Sequence, residues 1–283
     1  PLDEDALAEQ ITRLYGMEVF GTIHYDFTRT DDQGVLTIEV PPKPYGRNSL
    51  QFGFFIANDF KGDLDADLTV SHLLNPVNRM GGEWRNTVQF GTNSVLATEY
   101  YQPLDPSMAW VFDSRIRYAL DYINLFSAEG DALAEYHFRT LEGVAGFGRV
   151  FGHWGQLSLA AFRATGSGNA RIGSSALPPV SSDDGGVLVD FNVDTLDSTT
   201  WPRRGTNARG QYRRSLTSFG AEASGSFARV GMGKALTGGR NTVYLSVEAS
   251  DVISGSTMLD NLYTLGGFLR LSGLFPNQLI GER

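Results

Sequence analysis

The sequence predicts a mostly β fold in which a small α/β module leads into an antiparallel transmembrane β-barrel. Three observations carry this. Apolar and polar residues alternate through segment after segment, so each reads as a strand with two unlike faces. Several segments exceed the ~5–6 residues usual in soluble sheets and match the ~9–11 tilted residues that cross a bilayer. No stretch of the 283 residues approaches the ~18 uninterrupted apolar residues of a spanning helix. A membrane-spanning reading therefore requires a closed barrel, the other architecture that satisfies every backbone group in lipid.

Composition agrees with strands and tight turns. Glycine (33), phenylalanine (18) and tyrosine (11) are abundant, a mix that suits aromatic girdles. Cysteine is absent, which excludes disulfides and thiolate metal sites. The net charge of -9 argues against a nucleic-acid partner, which would want a basic surface. It also keeps a chain soluble in transit. The sequence opens at Pro1 with neither a methionine nor an apolar signal segment, and is expected to be a fragment whose targeting signal lies outside it.

Residues 1–43 read as a separate module. Leu2, Leu7, Ile11 and Leu14 recur at near-helical spacing behind Asp3, Glu4 and Asp5, where the helix dipole favours anions. Gly16 is a helix stop. Strands follow at Gly21–Phe27 and Val35–Val40 around the turn Asp31-Asp32-Gln33-Gly34. Pro41, Pro42 and Pro44 then end regular structure.

Beyond residue 44 the alternation marks eleven strands, roughly 47–58, 62–74, 81–91, 95–103, 107–125, 131–149, 154–166, 185–194, 206–216, 218–230 and 240–250. In the first, Leu50, Phe52, Phe54 and Ile56 share a face opposite Ser49, Gln51, Gly53 and Ala57. Gly166–Gly186 reads as a surface loop, and Lys234–Arg240 as another connection. Ser254–Arg283, with six glycines or prolines, reads as a loop rather than a twelfth strand.

The most informative stretch is Asp194-Thr195-Leu196-Asp197-Ser198, followed by Trp201-Pro202-Arg203-Arg204-Gly205. Before it Val187, Val189, Phe191 and Val193 alternate with Leu188, Asp190 and Asn192. After it Asn207, Arg209, Gln211 and Arg213 alternate with Ala208, Gly210 and Tyr212. Asp194 and Asp197 suit a tight turn held by local hydrogen bonds. Arg115, Arg117, Arg139, Arg149, Arg209 and Arg213 are candidates to line a wet interior, with Asp190, Glu222 and Glu248 as partners. No catalytic, cofactor or metal site is expected. Asp184-Gly185-Gly186 lacks the Gly-x-Ser-x-Gly elbow that a serine hydrolase needs. His24, His72, His137 and His153 lack metal-type spacing, and Gly166-Ser167-Gly168 lacks the lysine of a phosphate loop.

These residues resemble a known family. Asp194-Thr195-Leu196-Asp197-Ser198 with Pro202 and Gly205 resembles the turn and flanking strands of BamA-like outer-membrane barrels, the bacterial surface antigen superfamily. Leu265-Gly266-Gly267-Phe268-Leu269-Arg270-Leu271-Ser272-Gly273 resembles the surface loop that folds back into those barrels, and eleven strands precede it there as here. Leu14-Tyr15-Gly16, Phe20 and Val35–Val40 resemble a single POTRA domain. Phe52-Gly53, Asn58-Asp59-Phe60, Leu141-Glu142 and Gly148-Arg149 are similar to the type V secretion patatin-like proteins, the PlpD group. The family's loop carries an arginine directly before the position of Gly273; here Ser272 stands there, leaving Arg270 to reach carboxylates inside the barrel.

The resemblance implies a Gram-negative outer-membrane location with the N-terminal module in the periplasm, and a chain truncated at both ends. It implies about sixteen barrel strands, an even number as in such barrels generally, so the closing ones lie outside this sequence. It also implies type V protein secretion: the barrel anchors a passenger, a patatin-like lipase preceding residue 1, and brings it to the surface. The implied partners are outer-membrane lipid, the passenger, the barrel assembly machinery and a second copy of the chain. A BamA-type assembly factor is the alternative, and a soluble β-sandwich enzyme or lectin is the alternative of another class. If residues 1–43 are an independent module, limited proteolysis should cut first near Pro41–Gly46; protection continuous across that stretch would make the chain one domain.

Overall fold

The computed structural model describes residues 7–8, 10–12, 14, 20–30, 33–42, 46–58, 64–126, 132–172, 178–255, 263–266 and 279–281. Leu7, Ala8, Gln10–Thr12 and Leu14 are helical. β1 (His24–Thr30) and β2 (Gln33–Glu39) pair antiparallel as a sheet of their own. The Gly21 N–H donates to the Pro41 carbonyl at 2.7 Å, beside a bridge between Phe20 and Pro42.

Eleven strands then form one antiparallel sheet in chain order. They are β3 (Asn48–Asn58), β4 (Leu64–Leu74), β5 (Glu83–Gly91), β6 (Ser94–Pro103), β7 (Trp110–Phe126), β8 (Ala132–Phe151), β9 (Gly155–Ile172), β10 (Val180–Asp194), β11 (Gly205–Ser215), β12 (Gly225–Gly238) and β13 (Asn241–Ser254). These are the eleven strands expected from the alternation. A sandwich would need two sheets facing across a shared core; β3–β13 make one. β14 (Tyr263–Leu265) and β15 (Leu279–Gly281) pair only with each other.

Three connections differ from expectation: the strand expected at 218–230 begins only at Gly225, because a 3-10 turn, Thr217–Phe219, follows β11. Gly166–Gly186 is mostly strand, because β9 runs to Ile172, β10 begins at Val180, and they pair from Val180↔Gly168 to Asp184↔Ala164. Glycine and serine composition hid a two-residue period: Phe162, Ala164, Gly166 and Gly168 are buried and their neighbours exposed. The Phe138 ring covers Gly168, where an added Cβ would meet it at 2.6 Å; the aromatic fills what the glycine leaves open. β12 likewise continues to Gly238, so the expected Lys234–Arg240 connection shrinks to the Gly239-Arg240 turn.

Register sorts the two faces, since paired residues share one. One face carries Leu96, Ile116, Phe147, Leu159, Phe191, Met232, Val243 and Leu245, all exposed. The other carries charges and small groups, with buried apolar side chains such as Val111, Phe227 and the cluster of Ala160, Phe162 and Leu188 with Val144 among them. A water-soluble fold buries its large apolar side chains and leaves only modest apolar patches outside. Here the sheet is apolar outside and polar within.

Adjacent residues of β13 test this. Leu245→Arg should cost about 2–4 kcal/mol near a bilayer midplane, and Ser246→Arg on the opposite face much less. Unfolding from lipid vesicles in denaturant reads both, and equal costs would contradict the assignment of faces.

Candidate functional site

The polar face gathers a chain of charges from four strands. Glu142 on β8 accepts from Arg115 Nη2 at 3.3 Å on β7 and from Arg213 Nη1 at 2.9 Å on β11. Arg213 Nε also donates to Asp184 Oδ2 at 3.2 Å on β10. The Arg213 guanidinium lies 3.7 Å above the Phe162 ring, a cation–π contact that a desolvated site strengthens. Three strand spacings separate β8 from β11, about 14 Å in a flat sheet. A direct Glu142–Arg213 bond therefore requires inward-leaning side chains on a concave wall.

That wall lines a cavity of about 590 Å³ with residues from β5 to β11, including Glu83, Arg85, Glu99, Asp113, Asp190 and Gln211. Gln211 Nε2 donates to Asp190 at 3.0 Å. Asp113 Oδ2, Arg213 Nη2 and Arg229 Nε are buried without a protein partner.

The structure separates the six arginines. Arg115, Arg117, Arg209 and Arg213 share the inner face, whereas Arg139 and Arg149 pair with Ser167 and Leu157 on the outer one. Arg117 meets Asp121 at 3.9 Å, and Arg115 and Arg213 meet Glu142, while Asp190 feels the charges of Arg115 and Arg213. Asp184 was missed because its Asp-Gly-Gly string looks like turn chemistry. The signal available was the period Asp184, Gly186, Leu188, Asp190, which the inner face of β10 follows. Among the described residues no group of three His, Cys, Asp or Glu is arranged to hold a metal.

Residues 194–205 form the β10–β11 connection, and their polar side chains act locally. Thr195 N–H donates to the Thr206 carbonyl at 2.9 Å, and its hydroxyl bonds the Thr206 backbone at N and O. Asp194 accepts from the Leu196 N–H at 2.9 Å. Asp197 accepts from the N–H groups of Arg203 at 2.8 Å and Arg204 at 3.1 Å. Gly205 has φ 103°, and a Cβ there would meet the Thr195 carbonyl at 2.0 Å, so that position needs glycine. Pro202 lies within this turn and Gly266 directly follows β14 with φ 128°. Gly267, Arg270 and Gly273 lie outside the described residues.

One antiparallel meander, apolar outside and charged on a concave inner face, is the wall of a β-barrel. No family model matches the sequence, and no curated protein matches it. Among solved structures it is similar to BamA from Haemophilus ducreyi lacking POTRA domains 1–3, at 14% identity and a TM-score of 0.66. That match covers 98% of this chain and 55% of the other, so the chain spans about half the length of that neighbour. The fold is that of a BamA-like barrel.

Arg213→Ala should cost about 3–5 kcal/mol, because it removes the buried cation shared by Asp184 and Glu142, carboxylates 5% and 16% exposed. Arg115→Ala, at a side chain 43% exposed, should cost under about 1 kcal/mol. Denaturant midpoints in detergent micelles check the contrast. In the turn, the Arg203 and Arg204 N–H groups hold the Asp197 carboxyl below its usual range. Its contribution should be complete above the unfolded aspartate pKa of about 3.9 and fade as pH falls through the lower folded value. The Arg203 amide resonance should report that titration, and Asp197→Asn should abolish it.

Proposed function

We propose that the chain is the translocator and anchor of an outer-membrane secretion protein. Its barrel lies in a Gram-negative outer membrane, residues 1–43 form a POTRA-type periplasmic module, and the cargo is a passenger polypeptide, a patatin-like lipase encoded before residue 1. The observation that carries this reading is the single BamA-like meander with an apolar outer face and an ion-paired inner wall. The apolar face suits lipid, and the charged, concave inner wall suits a polar barrel interior. The residue-level similarity to the PlpD group supports the secretory role, and the chain itself is proposed to carry no hydrolase chemistry. Outer-membrane lipid, the assembly machinery and a second copy are its other proposed partners.

Outer-membrane protein assembly is the second reading, favoured by the similarity to a BamA structure. Deleting residues 44–283 from the native gene separates them. Secretion predicts that the upstream domain stays inside the cell, protected from added protease, while resident barrel proteins keep their levels. A fall in resident barrels with unchanged passenger exposure would replace secretion by assembly.

A further inference from the structure

One end of the barrel wall concentrates cations and aromatic rings. At that end the β7 start places Trp110 opposite Arg149 of β8, whose guanidinium carbon lies 5.0 Å from the indole ring. Two residues on, Phe151 and Trp154 stack at 5.6 Å. The Trp154 carbonyl accepts the Asp194 N–H, which links this turn to the next. There Trp201 is 82% exposed beside Arg203 and Arg204. The Thr237 hydroxyl of β12 holds the Arg203 carbonyl at 2.7 Å.

The acids of the same rim are engaged chiefly by backbone amides, although Asp197 also feels the charge of Arg204. Asp105 accepts from the backbone of Ser107, Ala109 and Trp110, and from the Ser107 hydroxyl. Asp194 and Asp197 are likewise turned onto the amides of their own turn. Arg149, Arg203 and Arg204 are exposed and make no ion pair within 4.0 Å among the described residues. In a chain of net charge -9, this rim offers exposed arginines with indole rings beside them. Indole rings sit at the headgroup level of a bilayer, and guanidinium pairs with phosphate oxygens in a two-pronged geometry.

We propose that the turn-side rim from β7 to β11 binds anionic glycerophospholipid headgroups, with Arg149, Arg203 and Arg204 taking the phosphate and Trp110, Trp154 and Trp201 the interfacial layer. This rests on the membrane-barrel reading. The chosen occupant follows from charge complementarity: a phosphate beside acyl chain meets both cation and ring, which a free anion would not.

The test is native mass spectrometry of the full chain from micelles doped with equal phosphatidylglycerol and phosphatidylcholine. A single arginine near an anionic surface favours the charged lipid by about fivefold, so the wild-type chain should retain at least that excess of phosphatidylglycerol. Arg149→Gln/Arg203→Gln/Arg204→Gln should lose the preference, and the matched lysine triple should keep most of it. Arg139→Gln, an outer-face arginine of β8 in the portion distant from this rim, should leave it unchanged. Equal retention of the two lipids by the wild-type chain, or an unchanged preference in the glutamine triple with its circular dichroism intact, overturns the headgroup site. Displacement of the lipid by inorganic phosphate alone also overturns it. Retention of neither lipid would instead overturn the membrane reading on which it stands.

Discussion

The structure depends on one constraint: backbone groups facing lipid must be paired within the protein. The antiparallel ladder from β3 to β13 meets it strand by strand, and the two-residue period then decides everything the side chains do. A slip of one residue in β11 would carry Tyr212 to the inner wall and Arg213 to the apolar face. The nine consecutive pairs from Gly186↔Ser215 to Asp194↔Asn207 fix that register. The ion pairs of the inner wall and the rings of the outer face are both consequences of it.

The inner wall shows how charge survives in a partly desolvated place. A lone buried guanidinium is expensive, and even a single ion pair often does no better than an apolar contact. Arg213 is instead held by Glu142, Asp184 and the face of Phe162 at once. Glu142 in turn shares its second oxygen with Arg115, which is more exposed. The network thus runs from a buried end toward a hydrated one, and its exposed member can be lost with little effect on the rest. Small residues make room for it: Gly146 lies over Ala160, where a Cβ would meet Ala160 at 2.5 Å. The concave surface needs that close approach between β8 and β9.

Much of the fold was legible because alternation survives wherever a strand has two unlike faces. Leu188 and Asp190 against Val189 and Phe191 announced both sides of β10 before any coordinates. What stayed hidden has a physical cause. Gly166, Ser167 and Gly168 carry too little side chain to show a face, so their strand is visible only through Phe138, which supplies the missing bulk from the neighbouring strand. Arg139 and Arg149 were read as interior because charge suggested water. Near the ends of an outer face, a long cationic side chain reaches the interface while its stem lies on apolar surface, and Arg149 does so over Trp110. The roles of Asp194 and Asp197 were legible as turn chemistry, whereas the partners of Arg213 come from three other strands and no local pattern contains them.

The remaining physical question sits at the two edges of the sheet. β3 and β13 each pair with one neighbour only among the described residues. On β3 the outward residues Leu50, Phe52, Phe54 and Ile56 are all exposed. Natural edge strands that face water are blunted by charge, proline or bulges, and Asn48–Asn58 carries none of these. It is therefore built as an interior strand of a larger sheet rather than as a boundary. β13 differs: Glu248 is one of its residues on the inner face and its pairing with β12 shifts register at Ser226/Phe227, while Val243, Leu245 and Val247 keep its outer face apolar. The β3 edge is thus the one shaped to receive a strand, and in lipid either edge needs a partner. The ladder that fixes the register of β11, and through it the charged wall, is thus under the same constraint at its margins as at its centre, because lipid satisfies no backbone group at either place.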